Sequence, residues 1–158
     1  MGVTDPKAAA VCCRQNEAGQ IEVLLVRSRD GERWTFPKGS IERWDRAPYR
    51  SAEREAWEEA GVKGQIDPLP LGRYRHAARS RKMWRRVDQD VEAYLLRVTD
   101  TSGRPELGRE PSWFAPAAAE TVLVLTAPTR ESGAGLSAVL RTALDRMVPP
   151  PAPATPLT

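Results

Sequence analysis

Arg54-Glu55-Ala56-Trp57-Glu58-Glu59-Ala60-Gly61-Val62 is the stretch that decides how this chain is read. A helix steps about 100° per residue, so Glu55, Glu58 and Glu59, spaced i, i+3, i+4, share one face. On the same wheel Tyr49, Ala52, Ala56 and Ala60 form a second stripe, roughly 110° from the centre of the carboxylates. The helix is predicted over Pro48 to Ala60. Pro48 suits a first helical turn, where its missing N–H costs nothing. Gly61 suits the left-handed residue that follows a helix end. One face therefore docks on a sheet while the other presents glutamates to a cleft.

Three like charges that close repel one another. A divalent cation relieves the repulsion, and hard cations such as Mg²⁺ take carboxylates, waters and substrate phosphates as ligands. The cluster reads as a metal platform, although an acidic helix face is in general more often simply solvated. Arg54, inside the cluster, is expected to orient a glutamate by an ion pair, with Asp45 as a further partner.

A basic run lies downstream. Arg73, Arg75, Arg79, Arg81, Lys82, Arg85 and Arg86 follow one another with no acidic residue between them, and His76 and Trp84 fall among them. The net charge of the chain is only +3, so this positive charge is local. Such a loop steers polyanions, and guanidinium forks match phosphate oxygens. Read otherwise, it is a solvated loop or a nonspecific nucleic-acid contact. Trp84 is the stacking candidate. Trp34, Trp113 and Tyr74 are weaker ones, the two tryptophans reading as core. Lys38, after Pro37, is expected exposed on a turn beside the metal site. Trp57 is expected to meet the C-terminal segment.

The chain of 158 residues, 41% hydrophobic and 28% charged, suits one domain over residues 1–148. Strands are predicted at Ala8 to Cys13, Ile21 to Arg27, Arg33 to Phe36 and Val91 to Val98. Ile66 to Tyr74 reads as extended and broken by Pro68 and Pro70. Trp113-Phe114 and Val122 to Leu125 are short apolar segments. Leu136 to Met147 has helical spacing and should cover the sheet face opposite the acidic helix. That makes two helices. The proline-rich residues 149–158 read as a disordered tail. No apolar run is long enough for a membrane span and no signal-peptide pattern is present, so a cytoplasmic protein is expected. Cys12 and Cys13 are expected to be reduced packing residues.

Gly39 and the segment Arg54-Glu55-x-x-Glu58-Glu59-x-Gly61-Val62 resemble the signature of the Nudix hydrolases. The chain departs from it in carrying Asp45 for the first Glu, eight residues rather than seven between that position and Arg54, and the small Ala56. The extra residue is expected in the turn at Arg46-Ala47-Pro48, where insertion is cheapest. The resemblance implies an α/β/α sandwich, a mixed β-sheet between helices. It implies Mg²⁺ or Mn²⁺ held by Glu55, Glu58, Glu59 and the Gly39 carbonyl, and hydrolysis of a diphosphate bond. Arg54, Glu55, Glu58 and Glu59 are the expected catalytic residues. A loop glutamate serves as general base in some relatives. Glu110 is favoured over Glu106, because Trp113-Phe114 follows it.

The Phe36-Pro37-Lys38-Gly39 segment, the basic loop and Arg109-Glu110-x-x-Trp113-Phe114 resemble the diphosphoinositol polyphosphate and dinucleoside polyphosphate branch. Substrate binding is then expected from Lys38, Arg75, Arg79, Arg81, Lys82, Trp84 and Arg86. A composition rich in Arg, Ala and Pro favours dinucleoside polyphosphates over an inositol pyrophosphate. The alternatives are ADP-ribose, a nucleoside triphosphate, the 5′ end of RNA, or a sensor that binds a nucleotide without cleaving it. A small-molecule polyphosphate is the expected partner, with no membrane, and monomer or homodimer left open.

Overall fold

A computed structural model describes residues 4–79 and 86–148 of the chain. The strands are β1 (Thr4–Gln15), β2 (Ile21–Arg27), β3 (Trp34–Thr35), β4 (Lys38–Ser40), β5 (Lys63–Ile66), β6 (Gly72–Arg79), β7 (Arg86–Asp100) and β8 (Ser112–Phe114). The helices are α1 (Pro48–Glu55), α2 (Pro116–Thr126) and α3 (Arg130–Met147). α1 continues without a break into a π-helical turn over Ala56–Ala60.

The centre of the sheet is the parallel pair β1–β7, in register from Thr4 opposite Asp88 to Cys13 opposite Arg97. β1 carries β2 along one half of its outer edge and β4 along the other. β7 likewise carries β5 and β6, both antiparallel. β3 and β8 extend β2. The result is a mixed sheet with helices on both faces, the expected α/β/α sandwich.

Ala8 to Cys13 of β1 reads as a continuous apolar run because both its faces are buried. On β1, Ala8, Ala10 and Cys12 point to one side and Ala9, Val11 and Cys13 to the other. The first side packs on Ala52, Ala56 and Ala60, so alanine meets alanine and α1 lies close to the sheet. The second side packs on Ala119 and Leu123 of α2 and Leu136, Val139, Leu140 and Ala143 of α3. α3 thus covers the face opposite the acidic helix, as its spacing predicts. Both cysteines are buried free thiols, one on each face.

Several expectations change. The described residues form three α-helices, not two. Val122 to Leu125 is the last part of α2, whose consecutive apolar residues mask a helical period: Leu123 is buried while Val124 and Leu125 are exposed. Lys38 is not on an exposed turn. It begins the edge strand β4, paired to Ala9, and is half-buried. β7 is longer than Val91 to Val98 because its polar first half forms a hairpin with β6. The contacts of Trp57 among the described residues are made elsewhere than at the C-terminal segment expected for it. The ring lies against Gly103 and under the Lys63 ammonium, 4.7 Å from the ring centroid. The expected proline-rich tail, residues 149–158, lies outside the described residues. Among the described residues no helix is long and apolar enough to cross a membrane.

Candidate active site

The acidic helix is fixed at its entrance by Asp45 and Arg54. Arg54 donates from Nε and Nη2 to the two Asp45 oxygens at 2.9 and 2.8 Å. Ser51 Oγ and the Glu42 amide donate to the same carboxylate. These donors, the Arg54 fork foremost, hold the Asp45 carboxyl down at about 2. Arg54 also reaches the Ser40 carbonyl and carboxylate oxygens of Glu55 and Glu58. Arg46 stands in the left-handed region (φ 68°) between Asp45 and α1, within the turn expected to hold the extra residue. Asp45 therefore keeps the ion pair with Arg54 although it is shorter than Glu and offset by one position.

Gly39 on β4 gives the glutamates room. A Cβ there would lie 2.2 Å from the Glu55 carboxyl carbon, so the carboxylate rests where any other side chain would begin. Gly61 ends the helix at φ 69°. The π-helical turn alters the expected arrangement. A turn closed by i→i+5 bonds advances less per residue than an α-helix, and such turns recur at functional sites. The three carboxylates accordingly differ: the Glu59 and Glu55 side chains are 7% and 13% exposed, Glu58 56%.

Burial raises the Glu59 carboxyl, against the Arg109 guanidinium and the Lys38 amide, which donates to Glu59 Oε2 at 3.2 Å. Burial also raises Glu55, against Arg54. The Lys38 ammonium is lowered, chiefly by burial, with Glu59 pulling the other way. The donor set is all oxygen and suits a hard divalent cation. The oxygens are engaged by Arg54, Arg109 and Lys38, and no three acidic groups converge on one point among the described residues.

These groups open into a cleft of about 1450 Å³. Its lining mixes acids and bases: Asp30, Glu32, Glu42, Glu55, Glu58, Glu59 and Glu106 with Lys7, Arg29, Arg33, Lys38, Arg109 and His76. Lys38 feels the charges of Glu59, Lys7, Arg109 and Arg33, and its ammonium donates to Gln89 Oε1 at 3.1 Å. His76 is buried, and burial first, then Lys38 and Arg33, brings its imidazole down to about 3, so the ring is neutral.

The loop after β7 enters the site through Arg109, which is buried. Its guanidinium donates to Glu106 Oε2 at 2.9 Å, stands 3.5 Å from Glu59 Oε1 and donates to the Arg27 carbonyl. The Glu106 amide donates to the Glu58 carbonyl. Glu106, not Glu110, is the loop acid at the cleft. Glu110 is exposed at φ 45°, 3.7 Å from Arg27, and does not line it.

Other expectations shift with it. Arg75 is exposed and outside the lining, because on β6 it alternates with the buried Tyr74 and His76. Tyr74 is buried edge-on to Phe36 and offers no stacking face. Trp34 and Trp113 are half-buried against the core, each under an arginine. Arg79 and Arg86 are paired in backbone register at the end of the β6–β7 ladder. Arg81, Lys82 and Trp84 lie outside the described residues. Arg33, Arg109 and His76 are the site residues that sequence reasoning missed as such. The signals were weak: Arg109 opened the Arg109-Glu110-x-x-Trp113-Phe114 segment, and His76 fell within the basic run.

Residues 5–134 match the NUDIX domain family. The chain is also 34% identical over 113 residues to the rat diphosphoinositol polyphosphate phosphohydrolase 2, covering 68% of this chain and 56% of that protein. It is 33% identical over 116 residues to the human diphosphoinositol polyphosphate phosphohydrolase 3-alpha, covering 68% and 63%. The chain thus spans little more than half the length of the curated relatives it matches.

Among solved structures, the fold is similar to that of a Caenorhabditis elegans Ap4A hydrolase binary complex. The TM-score is 0.61 at 20% identity, over 90% of this chain and 97% of that one. It is similar as well to the NUDIX domain of Shewanella oneidensis NrtR complexed with ADP ribose. There the TM-score is 0.62 at 17% identity, over 94% and 91%. The chain belongs to the Nudix family.

Proposed function

We propose that this protein is a metal-dependent pyrophosphohydrolase that cleaves a diphosphate bond in dinucleoside polyphosphates or inositol pyrophosphates. The observation that carries the reading is one cleft whose lining brings the helix glutamates together with Lys38, Arg33 and Arg109. Glu55, Glu58 and Glu59, with the Gly39 carbonyl, would hold Mg²⁺ or Mn²⁺. The cation supplies acidification of a water and screening of the phosphates. Arg54 keeps Glu55 and Glu58 oriented through the bonds it makes to them and to Asp45. Glu106 accepts the proton of the attacking water, a role its place at the cleft favours over Glu110. Lys38 and Arg109 balance the charge gathering on the leaving phosphate. The diphosphoinositol relatives support an extended, highly charged phosphate substrate. Arg79, Arg81, Lys82, Trp84 and Arg86 are assigned to its outer part.

A hydrolysis screen with Mg²⁺ and Mn²⁺, products identified by mass spectrometry, tests this. The panel holds diadenosine polyphosphates of increasing length, an inositol pyrophosphate, ADP-ribose, nucleoside triphosphates and 5′-triphosphorylated RNA. Preference for the longest phosphate chains is expected. Glu59→Gln keeps the fold and lowers turnover by roughly a hundredfold or more, because a charged ligand is lost. Unchanged turnover in that variant removes the metal platform. No turnover on any substrate, with nucleotide binding intact, makes the chain a sensor.

A further inference from the structure

His76 is the single histidine of the chain. It is 6% exposed and lines the cleft. Its Nε2 stands 3.4 Å from Arg33 Nη1. A guanidinium has donors and no acceptor. Nε2 must therefore accept, and the neutral ring carries its proton on Nδ1. That Nδ1 is buried and has no hydrogen-bond partner. A buried N–H without an acceptor is rare and costly. Arg33 presents the complementary imbalance. It is half-buried, and among the described residues its guanidinium hydrogen-bonds to this neutral ring and makes no ion pair within 4 Å, Asp30 being the acid that feels its charge from further off. A partly desolvated cation beside an imidazole locked in the wrong tautomer is a site arranged for an anion that is not protein.

We propose that Arg33 and His76 form a phosphoryl subsite of the cleft, completed by a tautomer change of the imidazole. The proposal rests on the reading above that the cleft takes a polyphosphate. A phosphoryl oxygen accepts from the guanidinium and draws it off Nε2. Released from accepting, Nε2 takes up a proton from solvent as Nδ1 gives one up, and the ring stays neutral. The orphan Nδ1–H disappears, and Nε2–H becomes a second donor to the same anion. Arg33 supplies charge and His76 supplies direction. A neutral donor of this kind reads phosphoryl oxygens without adding to the repulsion among Lys38, Arg33 and Lys7. The β2–β3 connection, through Arg33, then supplies the inner part of the phosphate path.

Because the chain has one histidine, histidine labelled with ¹⁵N gives a single pair of ring signals. Spectra are recorded in EDTA, without metal and without turnover, before and after addition of tripolyphosphate. In the free protein Nδ1 is expected as the protonated nitrogen and Nε2 as the bare one; with tripolyphosphate bound the two exchange roles. Arg33→Gln should abolish the exchange and weaken tripolyphosphate binding by calorimetry about tenfold or more. Orthophosphate at the same concentration should leave the signals in place. If it moves them equally, the site is one for free phosphate and the substrate subsite is overturned. Binding of tripolyphosphate without a change of tautomer, or no binding at all, overturns the proposal as well. The wild-type spectra decide even if Arg33→Gln fails to fold. Since no hydrolysis is read, loss of the catalytic reading and loss of this one are separate results.

Discussion

Glu55 is held from two sides. Arg54 bonds its carboxylate on one, and the bare backbone of Gly39 makes way on the other. Gly39→Ala would place a methyl 2.2 Å from the carboxyl carbon. The far end of a glutamate moves easily, so the fold should persist with little change in Tm. The displaced ligand should cost about a hundredfold in kcat, as misplacement by about 1 Å commonly does. Steady-state kinetics over a Mg²⁺ titration checks this, and unaltered kcat would show that Glu55 works from another position. Residues of this sort were legible in the sequence, because Gly39, Arg54 and the glutamates depend on local spacing. Asp45 as partner of Arg54 was legible for the same reason. Arg33 and His76 were not legible as site residues, while Glu106 was placed only second to Glu110 and Arg109 stood only as part of a motif. They reach the cleft from three separate segments, and only the folded sheet brings those together.

At the level of elements, the entry to α1 is a small charged lock. Asp45 accepts from Arg54, Ser51 and Glu42. Its folded pKa of about 2 lies below the ordinary carboxyl value. The contribution to stability is therefore complete above about pH 4 and is lost as pH falls toward 2. Asp45→Asn should lower Tm at neutral pH by roughly 5 °C. It should also narrow the gap to wild type as the pH is taken from 5 to 2, because wild type loses on protonation what the variant never had. Calorimetry across that range measures it, and a gap that stays constant would mean the charge on Asp45 does not matter. The helix itself was foreseen to its last residue, Ala60, but not its widening. Spacing of apolar and charged residues reports that a segment is helical, while a π turn depends on how Ala56 and Ala60 seat against the alanines of β1. α2 was missed for the opposite reason, since Val122 to Leu125 has no polar face to set a period.

Across the whole molecule, the cleft depends on layers that never touch the glutamates. α3 lies so close to β6 that a Cβ on Gly135 would come 2.6 Å from the Cβ of Tyr74. Ser132 of the same helix donates to the Arg75 carbonyl at 2.9 Å. Gly135→Val should destabilise the protein by about 1–3 kcal/mol, the usual cost of overpacking. It should shift β6 and with it His76, so tripolyphosphate affinity should fall together with the urea midpoint. Lower stability with unchanged affinity would show that the packing of α3 on β6 does not set the position of His76. The layered architecture was readable from β1, where Ala8 to Cys13 is apolar without interruption and so needs cover on both faces.

The parallel pairing of β1 with β7 also sets an order of events as the chain leaves the ribosome. β1 and β2 can close early as a hairpin, but the other edge of β1 waits for residues 88–97. Until they emerge, an apolar strand offers a row of free amides and carbonyls to whatever strand is near, which is how nascent sheets aggregate. The central alanines reduce that hazard, since small side chains give a foreign strand little surface to hold.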